Sequence, residues 1–371
     1  MHSDVLLVLV VGTALAFDFT NGFHDTANVV ATSISTRALP PRFAIGMASL
    51  LNFAGAFISL AVAATVAKGI VDPAIVTLEP SIVFSGLIGA ITWNVVTWYF
   101  GLPSSSSHAL IGGVVGAAFA AQGSKAVMGD GLVGKVIVPA IVAPILAFVV
   151  AGIAILICYR IVGRLRPGPV GAGFRLGQVI SGGMLALAHG TNDAQKTMGV
   201  IVLALVAHGD IAANDIHVPQ WVVICAASAI ALGTYAGGWR IIKTMGSRII
   251  KMDPAQGFAA QGSGAAVILA ASHVGFPLST THVISGGVMG AGAAKRLSAV
   301  RWGVAGNIVA AWVVTLPASA GIGAAVYGLT RVFGVNSEAG PVVVAALILV
   351  GTMLVFGRRV RRGSPLTAPQ T

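Results

Sequence analysis

Charge and cysteine are both scarce in this 371-residue chain: 9% of its residues are charged, 11 of them acidic, and there are two cysteines. With 56% hydrophobic residues and a mean hydropathy of +0.91, so little charge excludes a soluble domain. Cys158 and Cys225 stand singly in apolar runs, which excludes a disulfide framework and a thiolate metal site and leaves them as buried small side chains. Residues 5–17 lack a basic flank and a small-residue cleavage site, so they are not read as a removed signal peptide. The net charge of +11 does not indicate a nucleic-acid partner, because the basic residues fall between apolar runs. Those runs recur along the whole length, and 48 glycines lie among them, as close helix contact in lipid requires.

Placing Arg160, Arg164, Arg166 and Arg175 in the cytoplasm fixes an expected topology. Counted outward as crossings 43–67, 132–159, 176–207, 219–239, 302–330 and 341–357, with paired segments at 81–122 and 256–294, most Lys and Arg fall inside and most acids outside. The expectation is a multi-pass plasma membrane protein with an external N-terminus and a cytoplasmic C-terminus. The first half then begins outside and the second inside.

Against this background, the polar block Asn21-Gly-Phe-His-Asp-Thr-Ala-Asn28 recurs, rewritten, as His189-Gly-Thr-Asn-Asp-Ala-Gln-Lys196. A charged residue at the centre of a lipid-facing helix costs roughly 2.5–3.5 kcal/mol, so duplicated embedded acids mark a transport site. Gly22 and Asp25 align with Gly190 and Asp193 at one offset. Pro103, Ser105, His108, Gly112 and Gly116 align with Pro277, Ser279, His282, Gly286 and Gly290 at another, six residues larger. The expected fold class is an all-α polytopic membrane protein: two inverted-topology repeats with re-entrant helical hairpins and interrupted helices, plus one C-terminal span. The expected domains are a first repeat over 1–160, a cytoplasmic linker over 161–175, a second repeat over 176–331, and a C-terminal helix with a basic tail over 332–371.

The second repeated element, Pro103-Ser-Ser-Ser-Ser-His108 and Pro277-Leu-Ser-Thr-Thr-His282, carries a helix-start signal in the middle of each paired segment. Backbone at membrane depth is tolerated where it lines a cavity. The first N–H groups of each following helix, its dipole and the hydroxyls would converge on tetrahedral oxyanions such as phosphate or sulfate. Gly112, Gly113, Gly286 and Gly287 allow close packing of these half-helices.

These motifs, together with Thr92-Trp-Asn94, Gly101-Leu-Pro103 and Trp312-Val-Val-Thr-Leu-Pro317, resemble the inorganic phosphate transporter (PiT) family over about residues 12 to 330. The resemblance implies an inverted-repeat transporter, not an enzyme, that imports phosphate with a coupling cation. It implies phosphate contacts at Asp25, Asn28, Ser105, Ser106, Ser107, Asp193, Ser279, Thr280 and Thr281. Lys196 joins them as a phosphate ligand or as the partner of an aspartate. Coupling falls to His24, Asp25, Asn28, Asn192 and Asp193.

Many family members read Gly-Ala-Asn-Asp-Val-Ala-Asn in the first motif, where this chain has His24 before Asp25. In the second copy Lys196 stands where the first has Asn28. These departures are similar to the bacterial low-affinity branch and favour H+ over Na+ as coupling ion, with Mg2+ or another divalent metal travelling as a metal–phosphate complex. No resident cofactor is implied, and a homodimer is among the expected states. Asp18 lies two helical turns before Asp25, sharing its face if the helix is unbroken or capping a break. His108 and His282 read as residues that order the hairpin tips. The alternatives are a sodium-coupled symporter, a sulfate permease of the same fold, a passive anion channel and a membrane phosphohydrolase. Embedded acids disfavour the channel, and the absence of one activated hydroxyl with an oriented base disfavours the enzyme.

Overall fold

The computed structural model describes residues 4–212, 214–334 and 337–361, with backbone alone at 77, 78, 352 and 354–361. Its described residues are almost wholly helical. The first half comprises α1 (Asp4–Ser35), α2 (Pro41–Gly55), α3 (Ala61–Gly69), α4 (Pro73–Leu78), α5 (Ser81–Phe100), α6 (Ser106–Gln122), the short α7 (Gly129–Leu132) and α8 (Val138–Val162). The second half comprises α9 (Pro167–His208), α10 (Gln220–Ala236), α11 (Trp239–Lys243), α12 (Pro254–His273), α13 (Thr280–Lys295) and α14 (Trp302–Arg331), followed by α15 (Ala339–Arg361).

Five helical stretches are long and apolar enough to cross a membrane, and a sixth is made by α10 with Trp239–Arg248, bent by 61°. The protein is a multi-pass membrane protein. Its outer faces carry Leu, Ile, Val and Phe, and its interior carries the polar side chains, as expected where lipid is the solvent.

The expected interruptions occur, but not at the polar blocks. α1 and α9 run unbroken through Asn21–Asn28 and His189–Lys196, which places each block's residues on one helix. The breaks fall instead in the expected crossings 43–67 and 219–239. One is split at residues 56–60 between α2 and α3, and the other turns at Gly237, whose φ is +72°. The α2–α3 break is satisfied by Gln195, whose side-chain oxygen accepts the Val62 and Ala63 amides at 2.8 and 3.2 Å. Without that partner two buried N–H groups at the start of α3 would be unpaired.

The connection between halves is shorter than the segment 161–175, because Pro167 starts α9 at its first position, where a missing N–H is harmless. The expected basic tail lies outside the described residues beyond Arg361. Cys158 and Cys225 are free and half-buried rather than buried.

Glycines set the helix spacing, and they do so in matching fashion in the two halves. A methyl group at Gly22 of α1 would lie 2.2 Å from the Ile230 carbonyl oxygen of α10, and one at Gly190 of α9 would lie 2.1 Å from that of Asn52 in α2. Further out, Gly116 of α6 presses on Ala320 of α14, and Gly290 of α13 on Phe148 of α8. Each half thus embraces an element of the other. The hairpins α5–α6 and α12–α13 turn through Gly101 and Gly275, whose φ values of +65° and +79° suit glycine. Their tips meet in the interior.

Candidate functional site

Four helices supply the central polar cluster: α1 and α9 through their polar blocks, and α6 and α13 through their first turns. Ser105 and Ser279 are the helix N-caps. Their hydroxyls accept the His108 and His282 amides at 3.1 and 3.3 Å, so these two of the expected contacts are engaged in starting the helices. That leaves Ser106, Ser107, Thr280 and Thr281, at the first two positions of α6 and α13, of which Ser106, Thr280 and Thr281 face the aspartates and Ser107 faces Lys196.

Asp25 accepts from Ser106 at 2.5 Å and from Thr281 at 3.3 Å, thus touching both hairpin tips. Asp193 accepts from Thr280 at 3.2 Å and from the Lys196 ammonium at 2.5 Å. Lys196 also donates to Ser107 at 2.5 Å and to the Leu278 carbonyl at 2.7 Å, so its charge is held by three oxygens. Asn28, its counterpart in the first half, donates to Thr281 at 2.9 Å. The side chains of Asp25, Asn28, Ser106, Ser107, Asp193, Lys196, Thr280 and Thr281 are all at most 3% exposed. The cluster is occluded.

The residues preceding the two aspartates reach to the descending arms of the hairpins. His24 Nδ1 lies 2.7 Å from Asp25 Oδ1, and its Nε2 lies 3.2 Å from the Thr97 hydroxyl and 3.3 Å from that of Ser104. With Nδ1 donating to the carboxylate, Nε2 is left as an acceptor for those hydroxyls. Asn192 donates to Ser272 at 2.7 Å and to the Phe276 carbonyl at 3.2 Å, which ties it to the second hairpin rather than to the central cluster. His108 and His282 meet edge to face at 4.7 Å. Trp312 stacks on His282 at 4.0 Å and donates to the Pro103 carbonyl at 3.1 Å, so the two imidazoles order the tips.

One participant was passed over in the sequence. His189 Nε2 lies 3.2 Å from Asp193 Oδ2, off the line of a hydrogen bond, and its Nδ1 lies 3.2 Å from the Asn52 side-chain oxygen. A ligand atom from each of Asp25, His189 and Asp193 lies within 4.8 Å of the other two. The signal was its place four residues before Asp193, on the same helix face. Asn52 carried a weaker signal, as an amide in an apolar segment. Its nitrogen donates to Thr234 at 2.8 Å and links the two broken helices.

Two carboxylates so close, one from each half, face two helix N-termini rich in hydroxyls, and together they form the polar centre of the molecule. The sequence pattern of the phosphate transporter family matches residues 21–171 and 166–323, which include every element of that cluster. The chain belongs to the phosphate transporter family. Relatives in the family include the probable low-affinity inorganic phosphate transporter of Mycobacterium tuberculosis (strain ATCC 25618 / H37Rv), 54% identical over 329 residues that cover 89% of this chain and 78% of the relative. A protein of the same description from Rhizobium meliloti (strain 1021) is 51% identical over 87% of this chain and 96% of its own length. Among solved structures, one described as the sodium-dependent phosphate transporter superposes with a TM-score of 0.79 at 24% identity, over 88% of this chain and 99% of that one, which shows a shared fold.

Proposed function

We propose that this transporter imports inorganic phosphate by proton symport, with a divalent metal accompanying the phosphate. The observation that carries the reading is the juxtaposition of Asp25, Asp193 and His189 beneath the N-termini of α6 and α13. A bare anion would be repelled by the two carboxylates. Protonated phosphate donates its own hydroxyl to a carboxylate, which sulfate cannot do, so the acids select phosphate.

The hydroxyls of Ser106, Thr280 and Thr281 now donate to the aspartates. On binding they turn to phosphate oxygens, with help from Ser107, Asn28 and the amides of the two helix starts. Asp25 and Asp193 are then free to accept a proton or to hold a metal. An imidazole nitrogen with two carboxylates suits a transition divalent ion better than the all-oxygen preference of Mg2+. The metal is cargo, with phosphate completing its shell.

Proton coupling is supported by Lys196. Its ammonium takes three oxygens that would otherwise suit a sodium ion, so this half carries a tethered cation. His24, on Asp25 and in contact with Thr97 and Ser104, can relay a proton to the cluster. A neutral metal–phosphate complex moving with one proton carries one positive charge inward. Through about 100 mV this releases roughly 2.3 kcal/mol, enough for an accumulation of about 50-fold.

The orientation that fits has the N-terminus outside and the C-terminus cytoplasmic, with the halves inverted and α5–α6 and α12–α13 entering from opposite faces. Alternating access then moves each broken helix pair against the tips. Labelled phosphate uptake into proteoliposomes tests this, with proton or sodium gradients imposed separately and Mg2+ or Mn2+ present or absent. Proton-driven uptake that needs the metal is expected. Uptake driven by sodium alone, or strong competition by sulfate, contradicts the proposal.

A further inference from the structure

Most acids and amides of the interior are well supplied with partners, but one carboxylate is not. Asp18 on α1 is 0% exposed, and neither of its oxygens receives a hydrogen bond. Its polar neighbours are the Thr197 hydroxyl and the Asn21 side-chain amide, close enough to act on the carboxylate but outside hydrogen-bonding geometry. The Thr197 hydroxyl is itself buried at 0% and unpartnered, and the Asn21 side-chain oxygen, at 2%, is likewise unpartnered. Three unsatisfied oxygens from two helices, both of Asp18 and that of Thr197, therefore adjoin in the membrane interior, with the Asn21 side chain beside them.

We propose that Asp18, Asn21 and Thr197 bind the coupling monovalent cation, at a site separate from the phosphate cluster. The inference rests on the cation-coupled reading above and moves the coupling ion from Asp25 and Asp193, which are left to the metal and the phosphate hydroxyl, to Asp18. A buried carboxylate without donors is strongly disfavoured unless a positive charge accompanies it. The available internal cation does not fill this role: Lys196 acts on Asp18 from a distance, but its three donors are taken by Asp193, Ser107 and the Leu278 carbonyl. Asp193, on α9 like Lys196, adds negative charge to the surroundings of Asp18.

The donor set contains only oxygen, which suits a proton or a sodium ion and does not suit a thiophilic or imidazole-seeking metal. A proton would sit on Asp18 and be shared with the Asn21 or Thr197 oxygen. A sodium ion would be held by all three side chains.

The position explains how occupancy reaches the phosphate cluster. Thr197 adjoins Lys196 in sequence, and Asn21 lies one helical turn before Asp25, so a cation drawing Asn21 and Thr197 inward fixes the two residues that hold the hairpin tips. The repeat offset that pairs Asp25 with Asp193 pairs Asp18 with Ala186, so the arrangement occurs in one half alone and gives one such ion per chain.

The test uses full-length protein in proteoliposomes and two measurements: phosphate–phosphate exchange without any ion gradient, and phosphate accumulation driven either by a proton gradient without sodium or by a sodium gradient at equal pH. Asp18→Asn should keep exchange within about twofold of the unsubstituted protein and lose accumulation by at least tenfold. Thr197→Val should raise the half-saturating concentration of the driving cation severalfold while leaving that of phosphate unchanged. The arm that drives the unsubstituted protein tells proton from sodium, and a sodium result moves that ion to Asp18 while correcting the choice of ion above. Accumulation by Asp18→Asn at the unsubstituted level, loss of exchange together with accumulation, or an unchanged cation dependence in Thr197→Val each overturns the site. Failure of both gradients to drive the unsubstituted protein overturns cation coupling itself.

Discussion

Lys196 and Asp193 lie one turn apart on α9 with the ammonium nitrogen 2.5 Å from the carboxylate oxygen, and both are buried to within 1%. The pair is completed from the hairpins: Ser107 and the Leu278 carbonyl surround the lysine, and Thr280 donates to the aspartate. It therefore joins α9 to both hairpin tips and fixes how far they can part.

Removing the cation alone should be costly. Lys196→Met leaves Asp193 buried without its charge partner, a loss of about 3–5 kcal/mol, whereas pairing it with Asp193→Asn should recover most of that stability. Thermal unfolding of purified protein in detergent measures both. Equal melting temperatures for Lys196→Met and the unsubstituted protein would show that the pair contributes little.

A more specific change is Lys196→Asn, which copies Asn28 into the second half. Three oxygens that held an ammonium would then face a site open to a small cation. Uptake should become stimulated by sodium at constant pH; persistence of purely proton-driven uptake would argue against the tethered-cation role.

Asp25→Asn and Asp193→Asn should each abolish uptake while leaving the protein in the membrane, because an amide lacks the negative charge that holds the metal. By contrast, Ser106→Ala or Thr281→Ala removes one hydrogen bond to a charged group. At about 1.5–3 kcal/mol this corresponds to a rise of roughly tenfold to a hundredfold in the half-saturating phosphate concentration. A kinetic series on uptake separates the two effects, and unchanged half-saturation in both alanine variants would remove the hairpin tips from the phosphate site.

Gly22→Ala and Gly190→Ala should destabilise the bundle to similar degrees. The added methyl would lie 2.2 and 2.1 Å from carbonyl oxygens of α10 and α2, so backbone must move. A cost of about 1–3 kcal/mol each is expected. Melting temperatures check it. Gly12→Ala is the control, since nothing lies within 4 Å of an added methyl group there.

The sequence by itself determined the membrane class, the duplicated acids, the hydroxyl-bearing helix starts and the glycine contacts. These follow from composition and from local rules that act over a few residues: apolar length, proline at a first helical position, small residues where backbones meet. Where the helices break could not be read there. α1 and α9 stay continuous through their most polar stretch because neighbouring helices supply partners for Asp25, Asn28, Asp193 and Lys196. The apolar crossing 43–67 splits because Gln195, more than a hundred residues away, caps the α3 amides. The division of labour within each hydroxyl run was likewise decided by packing, which turns Ser105 and Ser279 to their own helices and Ser106 and Thr281 to Asp25. Only the tertiary structure brought His189 to the two aspartates and left Asp18 beside Thr197 without a donor, because the fate of a buried polar group depends on partners that distant segments supply.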